Sequence, residues 1–119
     1  GAAILGAPLM HDFVVISLSD LLTPWEKIIK RIKLAAEADF VICLYNPASK
    51  KRQDYLALAC EEMLKFKAAK TPCGYVQHIG RAGQVYELCS LDELKEKQLD
   101  MFTTVFIGNE QTKIINNRM

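Results

Sequence analysis

The sequence lacks a charge excess of either sign. In 119 residues, 15 Lys and Arg stand against 14 Asp and Glu, for a net charge of +1. Proteins that hold DNA, RNA or an anionic bilayer by their field carry a strong basic surplus, so neither nucleic acid nor a membrane is expected as a partner. Apolar runs near the roughly 20 residues needed to span a bilayer are also lacking. Intrinsic disorder is excluded by the opposite measure, since 50% of the residues are hydrophobic. Paired cysteines are missing too. Cys43, Cys60, Cys73 and Cys89 are spread singly, and His11 and His78 keep no ligand spacing from them, so no metal site is expected. Four cysteines allow three disulfide pairings, yet a domain of this size needs none, and their apolar settings point to buried free thiols. With no basic-then-apolar leader at the start, the expectation is a reduced, cytoplasmic protein. The sequence shows no G-x-G-x-x-G, Walker loop, H-E-x-x-H or G-x-S-x-G, so the common signatures of nucleotide, metalloprotease and hydrolase sites are absent.

What is present reads as one α/β domain over residues 1–119, with a mixed sheet of about five strands and flanking helices. Phe13 to Leu18 is a short β-branched run and predicts a strand. Thr23-Pro24-Trp25-Glu26 predicts a helix start, with Thr as cap, Pro in the first turn and Glu closing a capping box. Trp25, Ile28, Ile29, Ile32, Ala35 and Ala36 then share one apolar face, while Lys27, Lys30, Arg31 and Lys33 form a solvated one. Asp39 to Tyr45 is apolar almost throughout, as expected of a central strand. A helix is expected from about Lys50 to Ala68, with Tyr55, Leu58, Ala59, Met63 and Phe66 on one side. Gly74–Ile79 and Gln84–Leu88 predict a hairpin across Gly80-Arg81-Ala82-Gly83, and Ser90-Leu91-Asp92-Glu93 predicts a second capping box. Thr103–Gly108 and Lys113–Ile115 predict two further strands. Both ends look cut, as if the chain were part of a longer protein, with Gly1 to Ala3 partly foreign.

Ligands of open α/β sheets settle beyond the carboxyl ends of strands, where backbone groups are free to read a ligand edge. Here those positions are Leu44-Tyr45-Asn46-Pro47 and His78-Ile79-Gly80-Arg81, with Thr103-Thr104 opening a neighbouring strand. Taken alone, Asn46-Pro47 and Gly80 also read as plain turn residues. His11, Asp12 and Asp20 are the acid–base candidates, and capping or turn hydrogen bonding explains them equally.

Five stretches occur in a recognisable order: Gly6-Ala7-Pro8-Leu9, His11-Asp12-Phe13, Ile16-Ser17-Leu18-Ser19-Asp20-Leu21-Leu22-Thr23-Pro24-Trp25, Leu44-Tyr45-Asn46-Pro47 and Thr103-Thr104-Val105-Phe106-Ile107-Gly108-Asn109. The set resembles the carboxyl-terminal half of the tetrapyrrole methylases of cobalamin biosynthesis, in particular those that methylate C17 with contraction of the macrocycle. The resemblance covers essentially the whole chain. It implies two α/β domains with S-adenosyl-L-methionine in the cleft between them, of which this chain supplies the second and lacks the amino-terminal one. It implies a tetrapyrrole substrate, with or without cobalt, and a homodimer. It implies that Leu44, Tyr45 and Asn46 contact the adenosine, that Ile79, Gly80 and Arg81 close over it, and that Thr103 and Thr104 line the far side, mostly through backbone. His78-Ile79 departs from the Asn-Ala expected in relatives. A related methylase with another substrate, or a non-catalytic binding or dimerisation module, are the competing readings, and the isolated chain is expected to be inactive.

Overall fold

The computed structural model describes residues 12–19, 23–45, 55–77, 85–97, 99, 103–109 and 112. Its elements run β1 (Phe13–Ser17), α1 (Trp25–Glu37), β2 (Val41–Tyr45), α2 (Tyr55–Met63), β3 (Pro72–Gln77), β4 (Val85–Ser90), α3 (Leu91–Leu94) and β5 (Thr103–Ile107). The strands form one sheet in the order β1-β2-β5-β3-β4. β1 and β2 are parallel and joined through α1, while β2–β5, β5–β3 and β3–β4 are antiparallel. The expected mixed sheet of five strands is therefore present, and β3 and β4 pair as the expected hairpin.

The register sorts the side chains onto two faces. Ile16, Ile42, Leu44, Val105, Ile107, Cys73, Tyr75 and Cys89 share one face and meet Ile28, Ile32, Ala35 and Ala36 of α1, Leu56, Ala59, Cys60 and Met63 of α2, and Leu91 and Leu94 of α3. This is the main core. The other face carries Cys43, Val76 and Phe106, with Leu88 beside them, and none of the three described helices contributes to that cluster. All four cysteines are buried and free.

Local corrections follow from packing. α1 starts at Trp25 with Pro24 as its N-cap; the Pro24 ψ of 143° is extended, its carbonyl accepts the N–H groups of Lys27 and Ile28, and no side chain caps the end. Thr23 thus stands one residue too early to close the expected box. β2 begins at Val41, not Asp39, because Asp39 has a φ of 59°. It ends α1 in the left-handed conformation, with its N–H on Ala36 O and that of Phe40 on Ala35 O, the paired bonds of a Schellman stop. α2 is described from Tyr55 and ends at Met63. Leu56 and Cys60 are buried there, whereas Leu58 and Phe66, expected inside, are exposed. β3 starts at Pro72, two residues before the expected Gly74. The Ser90–Glu93 capping box forms as expected, with the Glu93 N–H on Ser90 Oγ at 3.2 Å and the Ser90 N–H on Glu93 Oε1 at 2.9 Å. The expected strand at 113–115 and the turn at 80–83 lie outside the described residues.

Candidate functional site

The carboxyl ends of β1, β2 and β3 and the start of β5 lie at one end of the sheet. Ser17 pairs with Tyr45, Tyr45 with Thr104 and Thr104 with Val76, so these four form one row across four adjacent strands. The next row outward pairs Thr103 with Gln77. Local sequence explains the ends. Ser17 Oγ accepts the Ser19 N–H at 3.2 Å, which turns the chain out of β1, and the Leu18 N–H donates to Tyr45 O at 3.0 Å. At the same end, Trp25 of α1 stacks on Tyr55 of α2 with ring centroids 3.8 Å apart and planes 16° from parallel. The contact locks the starts of the two helices together above the sheet.

Of the residues expected to bind a ligand, Leu44, Tyr45, Thr103 and Thr104 are thus at one end of the sheet. Their side chains differ in what they offer. Leu44 is wholly buried in the main core, so only its backbone faces the site, and Thr103 is 1% exposed. Tyr45 is 43% exposed and Thr104 half-buried, so their hydroxyls are within reach of a ligand. Asn46, Ile79, Gly80 and Arg81 lie outside the described residues, as do the acid–base candidates His11 and Asp20. Asp12 is described, and it stands elsewhere: its carbonyl accepts the Val41 N–H at the start of β1 and β2. Five residue steps separate it from Ser17, or roughly 16 Å at 3.3 Å each, so the structure does not bring it to the row. Ser17 and Val76 complete the row, and neither was singled out by sequence. The signal for Ser17 was its place at the end of a β-branched run, where the periodicity changes.

Thiol chemistry is disfavoured by the surroundings. Burial pushes Cys60 up to about 12 and Cys89 up to about 11, holds Cys73 well above the ordinary thiol range, and raises Cys43. Each stays protonated at neutral pH and is a poor nucleophile. Among the described residues no cluster of His, Cys, Asp or Glu has the arrangement of a metal site. No described helix is long and apolar enough to cross a membrane. What the face of Tyr45 and Thr104 offers is hydroxyls and strand-end backbone on a rigid sheet, suited to orienting a ligand rather than attacking it.

The chain is similar to known proteins along most of its length. A probable cobalt-factor III C(17)-methyltransferase of Salmonella typhimurium is 48% identical over 118 residues, covering 99% of this chain and 49% of that protein. A precorrin-3B C(17)-methyltransferase of a Sinorhizobium species is 46% identical over 114 residues, covering 96% of this chain and 45% of that protein. The crystal structure of the methyltransferase CobJ superposes with a TM-score of 0.87 at 32% identity, over 98% of this chain and 49% of that one. The chain spans about half the length of the curated relatives it matches. Residues 1–95 match the family of Tetrapyrrole (Corrin/Porphyrin) Methylases, and the chain belongs to it.

Proposed function

We propose that the chain is the carboxyl-terminal half of an S-adenosyl-L-methionine-dependent C-methyltransferase that acts at C17 of precorrin-3B or of its cobalt form, with ring contraction, in cobalamin biosynthesis. The observation that carries this reading is identity of 46–48% along nearly the whole chain to relatives named for that reaction. The sheet end supports it. Tyr45 and Thr104 offer two hydroxyls from one face of the sheet beside the strand ends, groups that fit the polar edges of an adenosine and an amino acid. S-adenosyl-L-methionine, when bound, supplies a sulfonium methyl that already carries its leaving group, so no protein nucleophile is required. The work left to this chain is to hold the two reactants in line, a contribution of about 7–11 kcal/mol in well-oriented systems. Four protonated thiols agree with that division of labour.

The reading extends to partners. The cleft would be completed by an amino-terminal domain, and the exposed apolar residues of the sheet face opposite the helices support a homodimer. Four free, buried thiols support a cytoplasmic location. The test is methyl transfer by the full-length protein to precorrin-3B and to its cobalt form, followed by mass spectrometry. Product gaining one methyl from the labelled donor is expected with one of the two, and none with this chain alone. Full-length protein inactive on both sinks the functional reading, and methylation by the isolated chain sinks the two-domain one.

A further inference from the structure

A groove of about 430 Å³ runs between the outer edge of β1 and the first turns of α1, opening at the same end of the sheet as the Ser17–Tyr45–Thr104 row. It is lined by apolar residues of β1 and Ile28 and by five polar residues, Ser17, Ser19, Thr23, Tyr45 and Arg31. Arg31 lies three residues after Ile28, at the border between the buried stripe and the solvated face of α1. It has no carboxylate partner among the described residues. Lys27 and Lys30, exposed on the same helix, add to the positive potential around it. The volume lies at the lower end of the range for ligand pockets, room for a carboxylate-bearing arm together with part of the ligand that carries it.

A guanidinium and hydroxyl side chains lining one groove beside apolar residues supply the chemistry that recognises a carboxylate. We propose that this groove is a carboxylate-binding subsite, with Arg31 pairing with the anion and hydroxyl groups of the lining supporting it. The identity of the ligand rests on the function proposed above, in which two groups carry such an anion: an acid arm of the tetrapyrrole and the methionine end of the methyl donor.

The experiment uses the full-length protein, titrated with uroporphyrin III by fluorescence and with S-adenosylmethionine by calorimetry. Arg31→Gln is expected to weaken one of the two by about tenfold, with Arg31→Lys recovering part of the loss. Weaker uroporphyrin binding assigns the anion to the macrocycle, and weaker S-adenosylmethionine binding assigns it to the methyl donor. Arg31 is exposed, so an unchanged melting temperature is expected and separates binding from folding. Lys33→Gln, on the same helix but outside the groove, is the control for the general field of α1. The subsite is overturned if both affinities survive Arg31→Gln, if Lys33→Gln costs as much, or if the unsubstituted protein binds neither probe. Methyl transfer measured on the same preparations tests the function separately: uroporphyrin binding without turnover keeps the subsite and sinks the reaction.

Discussion

Lys67 is the buried charge of this domain among the described residues, with a side chain 2% exposed. Its ammonium donates to Gly108 O at 3.0 Å, Phe40 O at 3.1 Å and Asp39 Oδ1 at 3.3 Å, which uses all three of its protons. Three segments, after α2, before β2 and after β5, are tied at the end of the sheet opposite the candidate site. The Asp39 carboxylate is 37% exposed, so the ion pair is screened and the two carbonyls carry most of the interaction. Lys67→Met would keep the packing of the stem and strand both carbonyls, for an expected loss of about 2–3 kcal/mol in urea unfolding. A second network is set by Tyr75, whose hydroxyl donates to Glu87 Oε2 at 2.8 Å while Lys97 donates to Oε1 at 2.7 Å. Burial, and then the bond to Glu87, push the Tyr75 hydroxyl from 10.0 up to about 12. A folded value above the unfolded one means stability fully present below pH 10 and lost as the pH rises toward about 12. Thermal melts across that window should therefore show a steeper decline for the native sequence than for Tyr75→Phe. The lowered Glu87, held down by Lys97 and then Tyr75, acts at the other extreme, its contribution fading as pH falls through its folded value.

Elements were legible where a local signal was unambiguous and misread where two faces competed. The stripe of α1 was clear because Ile28, Ile32, Ala35 and Ala36 repeat against a basic face, and all four are buried. In α2 the apolar residues surround the helix, so periodicity alone did not choose between Leu56 with Cys60 and Leu58 with Phe66. The sheet and α3 chose the former, and Phe66 falls beyond the last turn. Leu56→Ala is expected to cost about 2–5 kcal/mol, against less than about 1 for Leu58→Ala, as read from denaturant midpoints. The end of β5 depends on close approach. A Cβ added at Gly108 would stand 2.6 Å from Thr112 Cβ, and the Thr112 hydroxyl is engaged by the Asn109 N–H at 2.9 Å. Gly108→Ala should cost about 1–3 kcal/mol, and Thr112→Ala should rescue it only in part, because it removes the contacts with Oγ1 and Cγ2 and leaves the one with Cβ.

At the scale of the molecule, one sheet face is covered by helices and the other is not covered by any described helix. On that second face Phe13, Val15, Tyr45 and Tyr86 are 50%, 55%, 43% and 43% exposed, and the register places all four on the same side. Apolar surface gathered in this way seeks cover. Sedimentation velocity of the isolated chain should show association that rises with concentration, and Val15→Lys should reduce it without lowering the melting temperature, since the side chain lies outside the main core.

The sequence by itself determined the class of the fold, the β–α–β start, the hairpin, the α3 cap and the four buried thiols. Each of these rests on residues close together in the chain: a β-branched run, a capping box, a thiol in an apolar stretch. A resemblance carried by short strings also led to the expectation that Leu44, Tyr45, Thr103 and Thr104 contact a ligand, and the structure has these four at one end of the sheet. Only the tertiary structure decided that Tyr45 and Thr104 are neighbours in one row with Ser17, because β2 and β5 are nearly sixty residues apart and their register is set by pairing. It alone moved Asp12 to the far end of the sheet and turned Lys67 inward. It alone set Arg31 in the lining of a groove, since the position of a helix against a strand edge is settled by side-chain packing and not by local pattern.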